Sequence, residues 1–218
     1  MYYGPEIMIA AHITIGNYSE KITGLVLNIP LSAMNAFGTM LSLLTIDRLG
    51  RRYVMLRTLP FVVFAWLVVA TGMFMLESTK TETASLGGYF AFFGTMGFLF
   101  AFGIGMASTP WTVCAEIFPL HIIGTANSLT TTTNWLSNFV VAQFFPLMLN
   151  NEKLKGWGFI ILAFFSALSW FFIYLMLPET ANKEVSQILK DILGDNYKKE
   201  QISEVGEFEL QKDLDTTS

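Results

Sequence analysis

Charged positions divide this chain into a few long blocks. Five stretches, 22–46, 58–76, 83–115, 122–151 and 156–178, contain no Asp, Glu, Lys, Arg or His. As helices rising about 1.5 Å per residue, such stretches can cross a hydrocarbon core of about 30 Å. The bilayer interior offers no water to backbone N–H and C=O groups, so only helices and closed barrels span it. The alternation of a barrel strand is absent, and each stretch far exceeds the about 10 residues of such a strand. The pattern predicts an all-α integral membrane protein with five full spans, at about 22–46, 54–76, 86–115, 124–149 and 157–177.

Both ends depart from this pattern. Residues 1–13 are apolar apart from Glu6 and His12 and too short to cross, so they are expected to be the outer part of a helix that begins upstream. After Pro178, the residues Val185, Ile188, Leu189, Ile192 and Leu193 recur at helical spacing and predict an amphipathic helix over 179–194. Residues 195–218 are polar and are expected to form an acidic, disordered tail.

The intervening loops are short, which makes neighbouring spans antiparallel. The connections at 47–53 and 116–123 then share one face with the C-terminus. That face carries Arg48, Arg51, Arg52, Arg57, Lys183 and Lys190, against Lys21, Lys80, Lys153 and Lys155 opposite. The positive-inside rule makes the arginine face cytoplasmic. Composition agrees with a lipid environment: 14% of residues are charged and 53% hydrophobic, with a mean hydropathy of +0.50, where soluble domains carry roughly 25% charge. The net charge of -4 is localised, since 179–218 is net -5 and the remainder net +1. Nothing in this distribution points to a nucleic-acid partner. The single cysteine, Cys114, has no internal disulfide partner and reads as a small packing residue.

Ionisable residues inside membranes usually mark proton relays or charged-substrate sites, and none lies deep in the five spans. They hold amides and indoles instead. An amide offers donors and acceptors to hydroxyls, and an indole offers a flat apolar face with one N–H. Asn35 lies 12 residues before Asp47 and Asn134 lies 10 after Gly124, placing them about 18 and 15 Å from the same interface. Two amides at matching depth suit either a shared cavity or an interhelical hydrogen bond of about 0.6–2 kcal/mol. Thr131, Asn134, Trp135 and Asn138 share one helix face, which is expected to turn away from lipid. Gly97, Gly103, Gly105 and Pro110 mark a place where the third span can bend or break, with Trp111 just beyond. Glu116 ends that span on the face of Asp47, Arg51 and Arg52, so the four, joined by Glu179, are candidates for a charge network.

These residues together resemble the C-terminal half of a sugar porter of the major facilitator superfamily. The resemblance rests on Tyr2-Tyr3-Gly4-Pro5, Asp47-Arg48-Leu49-Gly50-Arg51-Arg52, Pro110-Trp111 through Glu116-Ile117-Phe118-Pro119, Asn134-Trp135 and Pro178-Glu179-Thr180, in the family's order and spacing over about residues 1–190. It implies the major facilitator fold: two six-helix bundles around a central site that opens alternately to each side. This chain would be the second bundle with its first helix truncated, and a complete pathway would need the missing N-terminal bundle as its partner. By motif position, Asn35, Trp111, Asn134, Trp135 and Asn138 match residues that contact or surround the sugar. Tyr2 matches the outer gate, and Asp47, Arg51, Arg52, Glu116 and Glu179 match the cytoplasmic charge network. The chain departs from the family at Ile123, where an Arg is usual, and at Gly103, where glucose facilitators often carry Glu. The implied function is transport of a neutral sugar or polyol (a hexose, pentose or cyclitol), not enzymatic, with no cofactor or metal. The alternative is a non-transporting sugar sensor or truncated regulatory protein.

Overall fold

The computed structural model describes residues 7, 20–76, 81–118, 122–151, 154–181, 183, 187–188 and 190–191. Six helices account for nearly all of them: α1 (Glu20–Leu49), α2 (Arg51–Leu76), α3 (Thr81–Gly105), α4 (Thr109–Ile117), α5 (Ile123–Leu149) and α6 (Lys155–Met176). There is no strand among the described residues. Apart from Ile7, the expected partial helix over 1–13 lies outside them, as do Tyr2 and the tail 195–218. Of the expected helix over 179–194, residues 187, 188, 190 and 191 are helical, whereas 179–181 and 183 are not.

One feature differs from the sequence-based expectation, and the break expected in the third span is seen. The charged hairpin expected over 47–53 shrinks to one residue, because α1 continues through Asp47 to Leu49 and α2 starts at Arg51. Gly50 alone makes the turn, at φ +92°, a conformation that side chains with a Cβ rarely adopt. The third span divides into α3 and α4 around Met106-Ala107-Ser108, just after Gly105 and just before Pro110. Among the described residues, four stretches are long and apolar enough to cross a membrane by length and composition: Ile22–Leu49, Arg51–Leu76, Leu86–Ile117 and Lys155–Met176. The 27-residue α5 has the length, but its run of threonines and asparagines lowers its apolarity.

The helices are packed unequally. α2 is the most enclosed, with ten buried residues from Val54 to Met73. It packs mainly on α3 and α6, and α3 in turn packs on α1. Trp66 of α2 anchors the core, its ring centroid 4.0 Å from that of Phe98 and 5.7 Å from that of Phe159. Phe159 meets Phe145 of α5 edge-on at 5.4 Å, an arrangement that suits the ring quadrupoles. Trp170 of α6 donates its indole N–H to the Leu56 carbonyl at 3.0 Å. By contrast α5 buries only Phe145 and Leu149.

In lipid, helices associate through close packing, and small residues at the crossing allow it. A Cβ added to Gly38 would lie 2.6 Å from the Phe100 carbonyl oxygen, and one added to Gly103 would lie 2.7 Å from the Asn35 carbonyl oxygen. The α1–α3 crossing is therefore backbone against backbone, and Gly103 is fixed by this contact.

Gly103→Ala is expected to lower stability by about 1–3 kcal/mol, the usual cost of overpacking, because the obstruction is backbone that cannot rotate away. Gly97→Ala is the control: its added Cβ meets nothing within 4 Å. Thermal unfolding in detergent should separate the two; equal midpoints would refute the tight crossing.

Candidate functional site

Two groupings of polar residues stand out. The first surrounds a cavity of about 560 Å³ between α1, α2, α3, α5 and α6. Its lining includes Trp135 and Asn138 from α5, Asn28 from α1, Thr95 from α3 and Trp66 from α2, with Phe98, Phe139 and Phe145 completing an aromatic wall. No ionisable side chain is among its described lining residues. Amides, a hydroxyl and indoles thus converge on an apolar chamber.

The structure distributes the five candidate substrate residues unevenly. Trp135 and Asn138 border the cavity. Asn138 donates its amide to the Asn134 carbonyl at 2.9 Å, which fixes the side chain along its own helix and leaves its amide oxygen as the acceptor. Asn134 is exposed beside them but does not line the chamber. Asn35 sits at the α1–α3 crossing, where its main-chain carbonyl accepts from Thr39 at 2.9 Å. Its side-chain oxygen is buried without a partner, an arrangement that typically costs about 1–3 kcal/mol. Trp111, on α4, is 45% exposed and stands apart from the chamber. Sequence reasoning missed Asn28, Thr95 and Trp66. Asn28 precedes Asn35 by seven residues on the same helix face, so its signal was present; Thr95 and Trp66 had none beyond being polar or aromatic within a span.

The polar stripe on α5 was expected to turn toward protein or water. Residues 132–141 are all exposed, and the helix is held mainly near its ends. At one end Cys114 of α4 donates its thiol to Asn127 at 3.2 Å and lies 3.3 Å from the Thr130 hydroxyl. Cys114 is thus buried, as expected, but also serves as a polar tie.

The second grouping lies where α1, α2 and α4 end together. The Arg51 guanidinium contacts Asp47 at 2.9 Å and Glu116 at 2.9 and 3.1 Å. Its side chain is only 11% exposed, whereas Asp47 is 74% exposed. The other Glu116 oxygen accepts from Thr180 at 2.6 Å. Glu179 takes a different role from a side-chain ion pair. Its carboxylate accepts the backbone N–H groups of Arg51, Arg52 and Tyr53 at 2.8, 3.4 and 3.3 Å, capping α2 where the helix dipole favours an anion. Arg52 does not join the carboxylates. It donates to the Tyr174 carbonyl at 2.8 Å, near the end of α6 where a cation is favoured. A residue at the first turn of α2 cannot face both α4 and α6, and Arg51 occupies the α4 side. Thr180 was missed as a member, although it belongs to the Pro-Glu-Thr run.

The description "Sugar (and other) transporter" fits residues 1–191 as a family model. Membrane transporter D1 of Leishmania donovani is 32% identical over 188 residues, covering 86% of this chain and 33% of that protein. The arabinose-proton symporter of Bacillus subtilis is 29% identical over 191 residues, covering 87% of this chain and 38% of that protein. Among solved structures, the major facilitator superfamily proton:xylose symporter XylE of E. coli, bound to 6-bromo-6-deoxy-D-glucose, superposes with a TM-score of 0.63 at 26% identity, covering 87% of this chain and 38% of that one. The chain therefore spans well under half the length of these relatives.

The two ion pairs of Arg51 are expected to differ sharply in weight. Arg51→Gln leaves Glu116 partly buried and uncompensated and should cost about 3 kcal/mol, the lower end of the range for a buried pair. Asp47→Asn at the exposed end should cost less than about 0.5 kcal/mol. Glu179→Ala, which uncaps α2, should fall between them at about 1–2 kcal/mol. Unfolding midpoints of the three variants in one detergent give the ranking, and an Asp47 effect as large as that of Arg51 would overturn it.

Proposed function

The chain belongs to the sugar (and other) transporter family of the major facilitator superfamily, and from this membership we propose that it builds one helical half of a pathway for a neutral sugar or polyol. It is a multi-pass membrane protein with the major facilitator fold. The observation that carries the proposal is the uncharged chamber bordered by Asn28, Thr95, Asn138, Trp66 and Trp135. A polyhydroxyl solute entering it exchanges water for amide and hydroxyl partners and lays its apolar face on indole. A charged solute would find no counter-ion there, which speaks for a neutral one.

The assignment of residues follows this logic. Asn138 accepts from a sugar hydroxyl through the amide oxygen that its helix leaves free, and Trp135 supplies a stacking face. Asn35 carries an unpartnered buried oxygen that a hydroxyl or a bridging water would satisfy. Trp111 and Asn134 flank the route, and Tyr2 lies at its outer gate. Residues 1–178 form the bundle, 179–183 lead out of it to a short helix that includes 187, 188, 190 and 191, and 195–218 are an acidic tail. The arginine-rich face and the C-terminus are cytoplasmic. There Asp47, Arg51 and Glu116 hold the ends of α1, α2 and α4 together in one state of the transport cycle, with Glu179 and Arg52 bracing the start of α2. Release of the Arg51–Glu116 pair accompanies opening toward the cytoplasm when this half rocks against a second one.

Sugar binding to the purified chain should quench the fluorescence of Trp135, and Asn138→Ala should raise the dissociation constant about 5- to 30-fold, the worth of one hydrogen bond of about 1–2 kcal/mol. A panel of hexoses, pentoses and cyclitols identifies the preferred class. If a charged sugar phosphate binds more tightly than every neutral compound, the proposal fails. In the complete transporter, Asn138→Ala should lower uptake at equal surface expression.

A further inference from the structure

We propose that a groove on the outer face of the α2–α3 pair is a binding site for one anionic phospholipid, with an acyl chain along the groove and the phosphate at Arg57. The groove encloses about 470 Å³. It runs from Arg57 to Val68 on α2 and from Ile104 back to Phe93 on the antiparallel α3. Eleven helical rises on each helix give it a length of about 17 Å, close to half the about 30 Å hydrocarbon core. It therefore matches the depth of one leaflet.

Its position excludes the solute chamber. The α2 residues Phe61, Phe64 and Val68 point the opposite way from Trp66, and Gly97 of α3 points the opposite way from Thr95 and Leu99, which line the chamber. The groove is open sideways, toward what would be lipid. Its rims are exposed phenylalanines, with Phe61 65%, Phe64 66% and Phe93 62% accessible. Its floor is low because Gly97 offers no side chain and nothing lies within 4 Å of where its Cβ would be.

Shape and charge select the occupant. The groove is apolar over nearly all of its lining and is walled by Phe61, Phe64, Phe93 and Phe100. A hydrocarbon chain lies along such an apolar trough without leaving a polar group unpaired. The one charged lining residue is Arg57, at the end nearest the Asp47–Arg52 turn, where a headgroup of that leaflet would sit. Its guanidinium lies 5.2 Å from the Tyr53 ring centroid, one turn nearer the interface. That contact draws the cation toward the headgroup level, as a snorkelling side chain requires. Arg57 makes no ion pair among the described residues, so its charge is available to a phosphate.

The test uses the full chain in nanodiscs with photoreactive phospholipids that carry a diazirine in the acyl chain, comparing phosphatidylglycerol with phosphatidylcholine. Cross-links mapped by mass spectrometry should concentrate in 57–68 and 93–104. The anionic probe should label these segments at least fivefold more than the zwitterionic one. Gly97→Leu, whose Cβ has nothing within 4 Å and whose longer side chain fills the floor, should reduce labelling of both segments at least fivefold and leave the exposed α6 residues Leu168, Phe172 and Leu175 labelled as before. Arg57→Gln should remove the preference for the anionic probe while keeping the acyl contact. Even labelling of all exposed helices, insensitivity to Gly97→Leu, or equal labelling by the two probes would overturn the site. Cross-linking of a second copy through the groove would overturn it as well.

Discussion

The Glu179 carboxylate at the start of α2 holds the most enclosed helix of the bundle to the rest of the chain. Three backbone N–H groups of α2 converge on it, and the left-handed turn at Gly50 brings them within reach. A Cβ at Gly50 would lie 2.6 Å from a carboxylate oxygen, so the turn and the cap occupy the same small space. Thr180, the next residue, then reaches Glu116, which meets Arg51. The ends of these helices are tied through three carboxylates, those of Asp47, Glu116 and Glu179, and the Arg51 guanidinium. Helix ends carry unpaired backbone groups, and at this junction the Glu179 carboxylate meets three of them at the start of α2.

The opposite regime governs α5. It carries few apolar contacts along its length, keeps a polar stripe exposed and is secured near its ends by Phe145, Leu149 and the Cys114 tie. The α1–α3 crossing, in contrast, is closed to the backbone, and α2 is buried between α3 and α6. The chamber lies between the rigid group and this loosely held helix. One wall of the chamber, carrying Asn28, Thr95 and Trp66, thus belongs to the tightly packed helices, and the other, carrying Trp135 and Asn138, to the loosely packed one.

The gaps between charges made the helices legible, because burial of a charge in lipid is costly whatever the surrounding fold. Their ends were less legible. Asp47, Arg51 and Arg52 looked like a loop, yet they lie in helices, since Arg51 spans a turn to Asp47 and Glu179 caps the start of α2. Residue type does not announce such a cap when the capping carboxylate is 128 residues away. For the same reason the fates of Arg51 and Arg52 could not be separated from the sequence: adjacent residues on a helix point in different directions, and only the positions of α4 and α6 decide which meets a carboxylate and which a carbonyl. At the chamber, Asn138 and Trp135 were readable from one helix stripe, whereas Thr95 and Trp66 acquire meaning only once α2 and α3 are placed beside α5.

The single-residue turn at Gly50 has a mechanical consequence. α1 and α2 hardly touch each other beyond it, but each packs along α3. They form the two arms of a clip whose jaw angle is set by the girth of α3, and a joint of one residue has no slack to absorb a change in that angle. The small residues of α3 that meet the arms, Gly87, Gly94 and Gly105 against α2 and Gly103 against α1, therefore act as shims. Any thickening of α3 at one arm would be felt as torque at the joint, and through it at the far arm.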